Sequence, residues 1–274
     1  MTNPYNIGLD KNAANFQPLT PLGFLERTAS SYPNVTAIIH GDLRIDYQTF
    51  YDRSRQLGAQ LYALGVGRGD TVSAMLANTP AMLECHYGVP MAGAVLHSIN
   101  TRLEAGTVAY QLDHADAKVV IVDAEFLAVM KEALNLTKVS PTVIVYQDTH
   151  CSETNSTEQH NTGQPARYLD YDAFVEQGDK DFAWLMPEDE WDAISINYTS
   201  GTTGNPKGVV CHHRGAYLLA LGNVFTADMP KYSTYLWTLP MFHCNVGAFL
   251  GQCPRFAART FACVRFALNS FGRR

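Results

Sequence analysis

Between Tyr198 and Gly208 the chain reads YTSGTTGNPKG. Thr199, Ser200, Thr202 and Thr203 offer hydroxyl donors. Gly201 and Gly204, with Asn205 beside them, free the backbone to turn its N–H groups onto an anion. Lys207 supplies a point charge, and Pro206 limits where the loop can move. The chemistry this suits is the holding of a polyphosphate. The order of residues is not that of a Walker A loop, in which Gly-Lys is followed by Ser or Thr. Here Pro206 precedes Lys207 and Gly208 follows it. The competing reading is a Ser/Thr/Gly-rich surface loop with no ligand.

Such a loop needs rigid flanks. Asp192–Tyr198 (DAISINY) reads as a buried strand leading in. Val209 and Val210 lead out, and Gly215–Phe225 is apolar enough for a helix. Upstream, residues 1–18 are polar and should wrap the surface. Thr20-Pro21 opens a helix that turns Leu22, Leu25 and Ala29 inward. Val35–His40 and Leu43–Tyr47 read as two strands joined by a Gly41-Asp42 turn. Phe50, Ser54, Leu57, Leu61 and Leu64 mark one face of a helix ending at Gly65.

Strands and helices then alternate. Thr71–Leu76, Ala94–Ile99, Lys118–Val122 and Thr142–Tyr146 read as strands. Between them lie a helix from Asn78-Thr79-Pro80 to Met91, one carrying Val108 and Leu112, and one capped by Asp123. Thr101 and Glu104 have capping-box spacing for the second of these. Spacing of this kind implies an α/β fold with mainly parallel sheets covered by helices on both faces. Gln147–Arg167 is polar and reads as a flexible surface excursion. Tyr171–Gln177 reads as a short helix.

Composition sets outer bounds. The chain has 274 residues, 46% hydrophobic and 17% charged, with a net charge of −6. That is ordinary globular composition and does not suit a general nucleic-acid or membrane-surface binder. No signal peptide and no apolar run of membrane-spanning length is visible, so a cytoplasmic location is expected. The six cysteines lie far apart with no CxxC and read as reduced thiols. Cys85-His86 reads as core. Cys211-His212-His213 and His243-Cys244 share no recognised zinc spacing.

The Tyr198–Gly208 run matches the signature of the adenylate-forming superfamily position for position. Thr79–Leu96, Ile99–Leu103 (INTRL), Phe182–Trp191, His212–Tyr217 and Leu236–Asn245 (LWTLPMFHCN) narrow the resemblance. They look like short- and medium-chain acyl-CoA synthetases, similar to the group containing methylmercaptopropionate–CoA ligases. The resemblance implies a two-step acid–thiol ligation that uses ATP, Mg²⁺ and coenzyme A. A carboxylate attacks the α-phosphorus of ATP, giving an acyl-adenylate and pyrophosphate, and the thiol then displaces AMP. It further implies that Thr199, Ser200, Gly201, Thr202, Thr203, Gly204, Asn205, Pro206 and Lys207 hold the phosphates. Thr199 helps hold Mg²⁺, and Lys207 and His243 act at the reacting centre. Taken alone, His243 reads equally as pocket wall or as a satisfied histidine at a strand end.

The pattern breaks after Asn245. No Asp or Glu follows Asp228, while five arginines fall in the last twenty residues. Ala248–Cys253 can be encoded so that a shifted frame reads Phe-Pro-Trp-Ala-Val, which resumes the family pattern. The expectation is that residues 1–245 form the N-terminal part of an AMP-binding domain. Residues 246–274 are then an anomalous tail from a frameshift or mispredicted splice. The family's Thr-Glu motif, its ribose-holding aspartate and its C-terminal lysine domain are absent from these residues. The polypeptide is therefore expected to be inactive as a ligase and prone to aggregate. Two alternatives stay open: a non-catalytic nucleotide-binding or interaction fragment, and an adenylating enzyme with an acceptor other than coenzyme A. Acyl substrate and oligomeric state are not legible.

Overall fold

A computed structural model describes residues 3–150, 168–199, 205–228, 230, 232–243 and the backbone of 259–261. The expected surface excursion falls largely on 151–167, and Ser200–Gly204 and most of the tail likewise lie outside the described residues.

Helix α1 (Leu22–Ser31) leads into the antiparallel pair β1 (Thr36–His40) and β2 (Leu43–Asp46). Tyr47, expected to end that strand, instead opens helix α2 (Tyr47–Ala63), because the Asp46 carboxylate accepts from the Thr49 N–H at 2.8 Å and caps it. Then follow β3 (Thr71–Met75), α3 (Pro80–Met91), β4 (Val95–Ser98), α4 (Ala105–His114), β5 (Ala117–Asp123), α5 (Leu127–Leu136) and β6 (Thr142–Tyr146). The remaining elements are β7 (Tyr168–Asp170), α6 (Tyr171–Glu176), β8 (Ala193–Tyr198), β9 (Gly208–His212), α7 (His213–Thr226), β10 (Thr234–Leu236) and β11 (Arg259–Phe261).

The larger sheet has seven strands in the order β7-β6-β5-β3-β4-β8-β9, parallel except for the β8–β9 pair. The smaller has four, in the order β10-β11-β1-β2. Strand β5 shows why both faces of the larger sheet are covered. Val119 and Ile121 join a core that includes α1, α2 and α3. Val120 and Val122 join the opposite core with Val108, Leu112 and Met130 of α4 and α5. Helix α3 is buried along its whole length. It approaches α2 so closely that a Cβ on Gly88 would lie 2.8 Å from the Ser54 carbonyl. Cys85 and His86 are core residues within it, as expected.

One helix start differs from expectation. The capping box of Thr101 and Glu104 does not form. Instead the Asn100 side chain accepts from the Arg102 N–H at 2.9 Å, which makes 100–103 a turn. Helix α4 then begins at Ala105 behind Glu104.

A polar anchor ties three helices together. Arg53 of α2 pairs with the buried Glu84 of α3 at 2.5 Å and with Asp172 of α6 at 2.7 Å. The Tyr171 hydroxyl donates to the other Glu84 oxygen at 2.8 Å. These bonds fix α6 against α2 and α3, beside the carboxyl end of β6.

Candidate nucleotide and acyl site

The phosphate-type loop is not a strand–loop–helix. It is the connection of a β-hairpin. Strand β8 runs up to Tyr198, the loop turns, and β9 returns antiparallel, with Tyr198 opposite Gly208. The Thr199 N–H donates to the Lys207 carbonyl at 3.1 Å and extends the ladder into the neck of the loop. A Cβ at Gly208 would meet the tip of the Ile196 side chain, 2.8 Å from its Cδ1. Sequence reasoning missed β9. Gly208–His212 is short, and Val209 and Val210 are exposed, so it lacks the alternation of a half-buried strand.

The neck opens on a cavity of about 660 Å³ beyond the carboxyl ends of β4 and β8. Open α/β sheets place ligands in that position. Its walls include Ser98 and Asn100 after β4, Thr107 and Gln111 of α4, and Asn197 to Thr199 of β8. Pro206 and Val209 come from the returning side, and Phe242 with His243 close the cavity opposite. The structure thus brings Thr199, Pro206 and His243 to one cavity. Lys207 and Asn205 are exposed beside it. Ser200, Gly201, Thr202, Thr203 and Gly204 lie outside the described residues.

Two asparagines that sequence reasoning did not single out place the His243 wall. Asn78 accepts from the Met241 N–H and donates to the Leu239 carbonyl, both at 2.8 Å. Asn197 donates to the Phe242 carbonyl at 2.8 Å. His243 itself is exposed, and its ring lies 4.5 Å from that of Phe242. It stands at the end of a short 3-10 turn, Met241–His243, among the residues that line the cavity.

The cavity floor is polar. Among the described residues, Ser98 Oγ and the Asn197 side-chain oxygen are buried without a hydrogen-bond partner. Buried polar atoms of this kind call for a ligand or ordered water. Beneath them His97 shares a hydrogen bond with Ser73 through Nδ1 at 2.9 Å. Burial pulls the His97 ring down to about 4. Gln111 opposes that shift, although it makes no well-aligned bond to Nε2. Burial, with a smaller push from Tyr110, raises the Tyr198 phenol to about 12.

The other histidines have local work. His212 caps α7, its Nδ1 accepting from the Gly215 N–H at 2.8 Å, and its ring lies 4.4 Å from that of Trp191. His213 bonds Thr20 at 2.9 Å.

The model of the AMP-binding enzyme family matches residues 25–266. An acetate–CoA ligase of Humulus lupulus is 44% identical over 268 residues, which is 95% of this chain and 46% of the relative. A peroxisomal acetate/butyrate–CoA ligase of Arabidopsis thaliana is 43% identical over 86% of this chain and 42% of its own length. A peroxisomal benzoate–CoA ligase of the same plant is 42% identical over 85% of this chain. The chain spans less than half the length of each of these relatives. The crystal structure of an anthranilate–CoA ligase with anthranoyl-AMP superposes with a TM-score of 0.79 at 22% identity, covering 92% of this chain and 46% of that one.

Proposed function

The chain belongs to the AMP-binding enzyme family, and from that premise we propose that its site activates a small carboxylic acid with ATP for transfer to coenzyme A. One observation carries this: both ends of the loop, Thr199 and Pro206, line a single cavity with Phe242 and His243. Phosphate donors and an acyl-sized space therefore share one wall. Relatives named for acetate, butyrate and benzoate support acids of that range.

Negative charge grows on the β- and γ-phosphates as pyrophosphate leaves. The loop's N–H and hydroxyl groups and Lys207 meet that charge with donors already in place. The Thr199 hydroxyl fits Mg²⁺ as an oxygen ligand, since its N–H is committed to Lys207 and the residue is otherwise exposed. When bound, that ion neutralises phosphate oxygens. His243 bounds the space where the carboxylate approaches the nucleotide.

Taken alone, the 274 residues are proposed to bind nucleotide without completing ligation. The shifted-frame reading of 246–274 is likewise a proposal, which sequencing of the transcript across codons 240–274 tests. We place the chain in the cytoplasm. The peroxisomal relatives define the alternative, and imaging of a tagged chain separates the two.

MgATP titrated calorimetrically into the wild-type chain and Lys207→Ala tests the site. Loss of a charged donor should weaken binding about 10- to 100-fold. Equal affinity for the two proteins, or none for the wild type, overturns the phosphate reading. Coenzyme-A-dependent AMP formation by the pure chain overturns the proposal that it stops at binding.

A further inference from the structure

Helix α4 reaches both sides of the loop's neck. Tyr110 and His114 stand four residues apart, on one face of that helix. His114 Nδ1 lies 2.7 Å from the Tyr198 hydroxyl. The Tyr110 hydroxyl donates to the Pro206 carbonyl at 3.4 Å. Tyr198 is the residue before Thr199, and Pro206 the residue before Lys207. One helical turn therefore touches the chain immediately ahead of Thr199, the residue assigned to metal, and of Lys207, the charged residue assigned to phosphate.

Ring contacts reinforce the arrangement. The Tyr198 ring meets His97 edge-on at 5.0 Å and His114 edge-on at 5.6 Å. Tyr110 stacks on His114 at 5.7 Å. Tyr198 thus sits between a buried histidine of β4 and an exposed histidine of α4. The bond joins the phenol oxygen and Nδ1, and the histidine's tautomer sets which of the two donates.

We propose that His114 is a positioning residue for the phosphate loop, acting through the Tyr198 hydroxyl, with Tyr110 as a weaker second hold through the Pro206 carbonyl. The inference rests on the reading of this loop as the phosphate site. Physically, the end of β8 is fixed before ligand arrives, so less ordering is charged against binding. The two holds are unequal because 2.7 Å is a strong hydrogen bond and 3.4 Å lies at the long limit.

The test uses the full chain and MgATP. His114→Leu should weaken binding about 2- to 10-fold, the worth of one neutral hydrogen bond. His114→Asn places an amide oxygen near the position of Nδ1 and should restore most of the affinity. Tyr198→Phe should cost as much as His114→Leu, and the double variant no more than either, because one bond is lost in each. Tyr110→Phe should cost less. Additive losses in the double variant, or wild-type affinity in His114→Leu while Lys207→Ala loses binding, overturn the positioning role.

A second readout needs no nucleotide. Amide exchange at Thr199, whose N–H closes the neck, should speed up several-fold in His114→Leu and return towards wild type in His114→Asn. Unchanged exchange overturns the proposal. If the wild-type chain takes up no MgATP, the phosphate reading fails, and the exchange rates alone decide the positioning.

Discussion

Asn197 and Phe242 are joined by a single hydrogen bond of 2.8 Å, from the asparagine amide to the phenylalanine carbonyl. Through it the last turn of backbone before His243 is held by the strand that carries the proposed phosphate loop. Asn197→Ala should loosen Phe242 and His243, with Met241 still held by Asn78, while leaving β8 in place, since the residue's pairing with Val209 is through backbone. The expected cost is about 1 kcal/mol in stability. MgATP affinity should fall by a few-fold if His243 borders the nucleotide. Urea unfolding and calorimetry measure the two separately, and unchanged affinity would detach His243 from the nucleotide.

Glu84 is buried, and its two oxygens face Arg53 and Tyr171. Glu84→Ala takes from Arg53 its buried partner, leaves it only the exposed Asp172 and deprives the buried Tyr171 hydroxyl of its acceptor, so it should destabilise the chain by about 3 kcal/mol. Asp172→Ala removes an exposed partner of the same guanidinium and should cost about 1 kcal/mol or less. Denaturant midpoints of the two variants should differ clearly. Equal midpoints would show that the anchor of α6 lies elsewhere.

His86 is fully buried, and neither ring nitrogen has a hydrogen-bond partner among the described residues. Burial pulls it down to about 3, and His97 and His213 to about 4. The unfolded chain protonates these rings near pH 6.5. Below that pH the unfolded chain binds protons that the fold refuses, so stability is lost as pH falls from about 6.5 towards 4. His86→Leu removes one proton from that dependence. It should gain about 2 kcal/mol more over wild type at pH 5 than at pH 7.5. Urea midpoints at the two pH values check this, and equal gains would sink it.

Gly88 and Gly208 both stand at close approaches, yet they should respond differently to alanine. At Gly88 the obstacle includes the Ser54 carbonyl and Leu57 Cβ, so α2 and α3 must move apart at a cost of about 1–3 kcal/mol. At Gly208 the nearest atom is the tip of the Ile196 side chain, which can rotate away. Gly208→Ala should stay within about 1 kcal/mol of wild type. Thermal melts compare the two, and a larger loss at 208 would mean that the hairpin is tighter than its side chains suggest.

The parts legible in the sequence are those where residue type and period act together. The apolar runs of β3, β5 and β6 and the face of α2 announced themselves, and the Tyr198–Gly208 run pointed to the family. What stayed hidden depends on partners distant in sequence. Asn78 and Asn197 are single asparagines until Leu239–Phe242 folds back over them. His114 looks like an ordinary helix-end residue until Tyr198 arrives beside it. The Thr101–Glu104 spacing misled because Asn100 offered the backbone a competing turn. Strand β9 was missed because it forms only by pairing with β8.

The antiparallel return of β9 has one more consequence. Because Tyr198 faces Gly208 across the ladder, the loop is an excursion whose two ends already meet. Its length and composition can change with little effect on chain closure, since closure entropy grows only slowly with length. Replacing the segment between those two residues with a tight Asn-Gly turn should leave a folded sheet and remove the proposed phosphate grip. Scaffold and proposed chemistry are then separable parts of one hairpin.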